Sequence, residues 1–168
     1  MNFSHYILIV VVLFSFRNKI NTQSILNQNN SSKTIFYSIK KFVDGDTFWI
    51  NDGSQKGIKI RLIGVDTPEN QSRFGKQEEY FGDEASFFVK KILTHNHIRL
   101  EFDIDSLDSF GRTLAYVYLD DGTFINEKLV KEGFAKAMCV SPNIRYKNHF
   151  KSLEKIALKN KIGLWKDH

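Results

Sequence analysis

The sequence predicts an α+β domain that is mainly β, with short strands closing into a small sheet and helices outside it. Three observations predict this class. Apolar residues alternate with polar ones in four separated stretches, which is the period of a half-buried strand. Turn residues such as "NDGSQKG" and "DDG" stand between these stretches. Helical spacing of apolar residues is confined to three places, after the third strand and toward the carboxy end.

Ile35 to Ile50 alternates well enough for one or two strands, and Asn51 to Gly57 supplies a turn that sends the chain back through Ile58 to Val65. Ala85, Phe88, Val89, Ile92 and Leu93 then fall on one helical face, with Asp83 and Glu84 at the end where acids suit the helix dipole. "HIRLEF" resumes the alternation through Ile98, Leu100 and Phe102, and "TLAYVYL" continues it to the turn Asp120–Gly122. A short helix is expected over Asn126–Glu132, stopped at Gly133, where glycine accepts a left-handed cap. Phe134–Met138 reads as a last strand. Phe150, Leu153, Ile156 and Ala157 mark a closing helix that ends near Gly163, leaving Leu164 and Trp165 to pack back. A five-stranded barrel of the OB type with three flanking helices fits this order.

The 168 residues, 42% hydrophobic, suffice for one domain with a real core, and fifteen Phe point to a dense aromatic one. The formal charge is +5, or +3 without Met1–Gln23, a mild excess that suits a polyanionic partner without demanding one. Cys139 is the only cysteine, so no internal disulfide forms, and it reads as a small buried hydrophobe.

"YILIVVVLFSF", Tyr6–Phe16, is uncharged but shorter than the roughly 18 residues that cross a bilayer, as in a signal peptide. Arg17 and Lys19 follow this run instead of preceding it, and no clean small-residue cleavage site comes next. Residues 1–23 therefore read as a signal peptide or an amino-terminal anchor, with membrane association through residues 6–16, and a buried strand as the other reading. Residues 24–34 are a flexible polar linker and 35–168 the folded domain, secreted or held at the cell envelope.

"VDGDTFWI" places Asp44 and Asp46 inside a hydrophobic strand pattern, where carboxylates need a cationic counterpart. "IRLIGVDTPEN" follows with Arg61, Asp66 and Glu69, its turn stiffened by Pro68. Two carboxylates and a main-chain carbonyl at a strand end make a hard oxygen site of the kind calcium prefers. A plain hairpin centred near Ser54 puts Asp46 across from about Leu62, four residues short of Asp66, so a bulge or bend is required, and Gly64 is the place for it. Arg112 leaves a glycine turn in "DSFGRTLAY" and supplies a second guanidinium. Acids plus two arginines suit a phosphodiester: a cation neutralises charge, the arginines stabilise the five-coordinate transition state, and a carboxylate orients or deprotonates water. Taken singly, each residue is better explained as a turn acid or a surface ion pair, and only the combination points to a site. The spaced aspartates of Asp103–Arg112 do not make an EF-hand, because Leu107 holds an acidic position and the glycine is misplaced, so they read as solvated turn acids.

"DGDT" at Asp44–Thr47, "RLIGVDTPE" at Arg61–Glu69, "FGR" at Phe110–Arg112 and "NEKLVKEGFAK" at Asn126–Lys136 together resemble the staphylococcal nuclease, or thermonuclease, family over about Phe36–Trp165. The resemblance implies an OB-fold barrel and a calcium-dependent nuclease acting on DNA and RNA to leave 3′-phosphate ends, expected as a monomer. It implies Asp46, Asp66 and the Thr67 carbonyl as Ca2+ ligands, and Arg61, Glu69 and Arg112 as catalytic residues. Ser109, Phe110, Cys139 and Ser141 depart from the family pattern around the nucleotide pocket, which predicts weaker base stacking. Arg73 and Lys76, in the long loop after Glu69, are within reach of a phosphate or simply solvated. The alternative is a non-catalytic OB-like module that binds nucleic acid or protein, which has no use for Glu69 beside a phosphate.

Overall fold

The structure, a computed structural model, describes residues 34–69 and 80–166. The amino-terminal segment of residues 1–33, and Arg73 and Lys76, lie outside the described residues. Contacts within the chain divide it between Thr34 and Ile35, and the unit from Ile35 onward carries every element named below.

Strands β1 (Tyr37–Phe42), β2 (Thr47–Asn51) and β3 (Ile58–Leu62) form an antiparallel meander, joined by β5 (His97–Glu101) and β6 (Thr113–Leu119). The five close into a barrel in the order β1-β2-β3-β6-β5. Closure comes from β5 pairing with β1, Tyr37 opposite Ile98, while β3 and β6 run parallel. The OB-type α+β barrel expected above is the observed architecture. Its interior is the alternate set Phe48, Ile50, Ile60 and Ile98, all fully buried, so the period-2 pattern determines which side chains leave water.

The sequence reading treats Ile58–Val65 as one strand, and the structure corrects this. β3 stops at Leu62, and β4 (Gly64–Asp66) leaves the barrel to pair with β7 (Lys136–Met138), Val65 opposite Ala137. Gly64 makes the break. Its φ of +78° lies in the left-handed region, and a Cβ there would stand 2.7 Å from Cε2 of Phe150. The bend therefore needs glycine twice over, for conformation and for space.

Three helices flank the barrel among the described residues: α1 (Gly82–Leu93), α2 (Ile125–Lys131) and α3 (Lys147–Lys159). Ala85, Val89 and Leu93 recur every four residues on α1 and are fully buried, while Phe88 is half-buried and stacks on Phe134 with ring centroids 4.0 Å apart. α2 ends one residue earlier than expected, and Gly133 then takes φ +71°. Its carbonyl accepts the Leu164 N–H at 2.9 Å, so Leu164 does pack back and is buried. Among the described residues no helix is long and apolar enough to cross a membrane.

Candidate active site

The site begins at the β1–β2 turn. The main-chain N–H groups of Val43 and Asp44 both donate to the Thr47 carbonyl at 3.1 Å, and Oδ1 of Asp44 accepts the Asp46 N–H at 3.2 Å. Gly45 lies so close to Thr67 that a Cβ would meet Oγ1 at 2.7 Å. The glycine between the two aspartates thus lets the turn sit directly against the segment that follows β4.

Asp46 is buried, with 6% exposure. Its Oδ1 accepts the Thr47 hydroxyl at 3.0 Å, and its Oδ2 accepts the Thr67 N–H at 3.1 Å and pairs with Nη1 of Arg61. Burial pushes the Asp46 carboxyl up to about 7; the Arg61 charge opposes that rise and the nearby Asp44 adds to it. Arg61 is itself 9% exposed, and both ends of its fork are occupied. Nη1 also donates to the Val65 carbonyl at 3.0 Å, and Nη2 reaches Oδ1 of the half-exposed Asp66 at 2.9 Å. One guanidinium therefore binds the acid before β2 to the acid ending β4, across the Gly64 bend.

Arg112 comes from the loop before β6. Oδ1 of Asp108 accepts the main-chain N–H groups of Phe110 at 2.9 Å and Arg112 at 2.8 Å, and its Oδ2 pairs with Nε of Arg112 at 2.6 Å. Burial works against the charged form, yet these bonds and the Arg112 charge hold the Asp108 carboxyl below its ordinary value. The Phe110 ring, 82% exposed, lies 5.4 Å from the Arg112 guanidinium carbon. The same loop is clamped from the other side. Asn143, buried, accepts the Asp105 N–H and donates to the Asp105 carbonyl, both at 2.8 Å.

Arg61 and Arg112 line one cavity of about 450 Å³, with Leu114, Met138, Val140 and Pro142 as its apolar wall. Two guanidinium groups lining a largely apolar cleft suit a ligand that combines phosphate with a flat, weakly polar body.

Asp46, Arg61, Asp66 and Thr67 are thus brought together, and Arg112 shares a cavity with Arg61. Glu69 is half-buried two residues beyond Thr67 and has no hydrogen bond or ion pair among the described residues. Among those residues no three carboxylates, histidines or cysteines converge into a metal cluster. The donor set is two carboxylates beside Thr67, with the Arg61 cation between them. The set is all oxygen, which is the chemistry of a hard divalent ion rather than a soft one, and Arg61 already balances both carboxylates. Ser141 lines the cavity, whereas Cys139 lies outside the lining and its thiol donates to the Gly64 carbonyl at 3.7 Å.

Two expectations change. Asp103 and Asp108 are not solvated turn acids. Asp103 accepts the Tyr116 hydroxyl at 2.9 Å, and Asp108 holds Arg112. Sequence reasoning also passed over Asn143 and Asn126. The D-S-F-G run ahead of Arg112 is a signal for Asp108, because aspartate commonly accepts main-chain bonds from the turn it opens. No comparable local signal marks the two asparagines.

The model of the family described as staphylococcal nuclease homologue matches residues 59–167. The chain belongs to the staphylococcal nuclease family. Among relatives of this nuclease-family chain, the thermonuclease of Staphylococcus intermedius is 43% identical over 129 residues, covering 77% of this chain and 75% of its own. That of Staphylococcus hyicus is 43% identical over 130 residues, with the same shares. Endonuclease YncB of Bacillus subtilis is 34% identical over 141 residues, 83% of this chain and 65% of its own.

Proposed function

We propose that this phosphodiester-hydrolysing nuclease takes DNA and RNA as substrates, requires calcium, leaves 3′-phosphate ends, and works outside the cell or at its envelope. The observation that carries the reading is the shared cavity of Arg61 and Arg112, with Arg61 also bridging Asp46 and Asp66. The thermonuclease and endonuclease relatives support the reaction class.

Asp46, Asp66 and Thr67 are the residues that would hold calcium, which when bound supplies positive charge against the phosphate. The rest is work for the chain's own side chains. Glu69 orients a water and takes its proton as the oxygen attacks phosphorus. Arg112 presents its fork to the phosphoryl oxygens as charge builds on them, and Arg61, its own fork held by Asp46, Asp66 and the Val65 carbonyl, adds its positive charge to the same cavity. Breaking the bond from phosphorus to the 5′ oxygen leaves the phosphate on the 3′ side, and the departing 5′ oxygen takes a proton from solvent to become a free hydroxyl while Glu69 gives its own proton up to water.

The test uses the full chain on single-stranded DNA and on RNA, with calcium or with chelator, beside Glu69→Gln. Cleavage lost in chelator, cut by at least about a hundredfold in the variant, and yielding ends that polymerase extends only after phosphatase treatment supports the reading. Cutting that ignores chelator removes calcium, and tight binding without cutting favours the binding module. Mass spectrometry of the mature amino terminus tests export.

A further inference from the structure

The register of the meander places a second set of charges outside the cavity. Phe48, Ile50 and Ile60 point into the barrel and are fully buried, so Trp49, Lys59 and Arg61 lie on its outer face. Lys41 is opposite Trp49, and Trp49 is opposite Lys59, giving a row of cation, aromatic and cation across β1, β2 and β3. The Lys56 amine, from the β2–β3 turn, stands 5.9 Å from the Trp49 ring centroid. Lys40, at the irregularity between Ile39 and Lys41, is exposed too, but its amine donates to the Gln55 carbonyl and its charge acts on Asp52.

Among the described residues none of these four lysines forms a salt bridge. The acids of the adjoining turns have other uses. Asp44 accepts the Asp46 N–H, and Asp52 accepts the Ser54 hydroxyl and N–H. A face carrying Lys41, Lys56 and Lys59 around an indole, with no salt bridge to any of them among the described residues, is complementary to a polyanion that has flat rings.

We infer that this outer face is a binding track for single-stranded nucleic acid, continuous with the cavity, in which Lys41 and Lys59 meet backbone phosphates and Trp49 stacks a base. The inference rests on the nuclease reading above. Continuity comes from β3, since Lys59 and Arg61 are two residues apart on the same face, about 6.7 Å along the strand. That step is close to the reach between neighbouring phosphates of an extended chain. A strand whose phosphate sits on Arg61 therefore has its next phosphate over Lys59. Stacking needs an exposed base, so the partner is single-stranded. Trp49 is half-buried with the Lys56 amine over its ring, so its indole sits among cations, where a base stacked on it would have its phosphates neutralised.

The experiment measures binding of the full chain to end-labelled oligothymidylates from two to ten nucleotides long, in chelator, by fluorescence anisotropy of the label over a range of salt, with tryptophan fluorescence recorded in parallel. Lys41→Gln with Lys59→Gln should lower the slope of log affinity against log salt by about 1.4, two single-strand phosphate contacts at about 0.7 each. Trp49→Ala should weaken binding by about 5- to 150-fold, and Trp49→Phe should keep most of the affinity while removing the fluorescence change. The gain in affinity with oligomer length should disappear in the double lysine variant. An unchanged salt slope and unchanged length dependence in a lysine variant that circular dichroism shows to be folded overturns the track. So does loss of binding to phosphatidylserine-containing vesicles with oligomer binding intact. A wild-type chain that binds through this face and cuts nothing in calcium supports the track and overturns the nuclease reading alone.

Discussion

Asp108 grips Arg112 through Nε, with Oδ2 at 2.6 Å, and among the described residues neither terminal nitrogen of that guanidinium has a hydrogen-bond partner. The contrast with Arg61, whose fork is filled by Asp46, Val65 and Asp66, separates an arginine aimed at a ligand from one that also holds the fold together.

Arg112→Ala should therefore leave stability within about 1 kcal/mol of wild type while lowering kcat by at least about a hundredfold. Arg112→Lys should recover little, because an ammonium lacks the paired donors. Steady-state kinetics with parallel urea unfolding checks both, and a lysine variant near wild-type activity would contradict the fork's role.

Asp108→Asn keeps an acceptor for the turn N–H groups but loses the charge on Nε. Because the folded carboxyl titrates below its ordinary value, its contribution is full above the unfolded value near 3.8 and fades as pH falls through the folded one. The variant should be about 0.5–1 kcal/mol less stable at neutral pH, allowing for solvent screening, and the gap should close in acid below about pH 4. Urea unfolding at pH 7 and pH 3 measures it.

Gly64→Ala combines a left-handed backbone with a clash against Phe150. A loss of about 2–4 kcal/mol is expected. Since the bend brings Asp66 and Thr67 toward Asp46, calcium affinity should fall in whatever folded protein remains, read by isothermal titration.

Asn126 is fully buried, donating to the Ile63 carbonyl at 2.8 Å and accepting the Val117 N–H at 2.9 Å. It fastens the end of β3 to β6. Asn126→Leu strands both main-chain groups and should cost about 2–4 kcal/mol, seen as a lower urea midpoint with an unchanged m-value.

Calcium should raise Tm of the wild type, with about 2.7 kcal/mol added at a hundred times its Kd. Chelator should reverse the shift, and Asp46→Asn should abolish it. A flat melting temperature at millimolar calcium, with and without DNA, would remove the metal from the site.

Much of this was legible in the chain because it is local. The hairpin register puts Asp46 across from Leu62, and the Leu62 N–H does donate to the Asp46 carbonyl at 2.9 Å. The need for a bend at Gly64 follows from counting residues between Leu62 and Asp66. What could not be read depends on meetings between distant segments. β4 and β7 are three residues each, too short for a periodic signal, and pair across some seventy positions. The parallel contact of β3 with β6 leaves no mark in either strand. Asn126 looks, in sequence, like any polar residue opening a helix, and only Ile63 and Val117 give it a task. Glu69 was singled out from its motif, and its neighbours among the described residues add nothing to that assignment.

The salt bridge of Arg61 to Asp46 and Asp66 has a bearing on the life of the molecule before it meets substrate. With a built-in counter-charge between them, the two acids need no mineral partner to tolerate each other, so the strand pair β4–β7 can dock beside the barrel on charges the chain itself supplies.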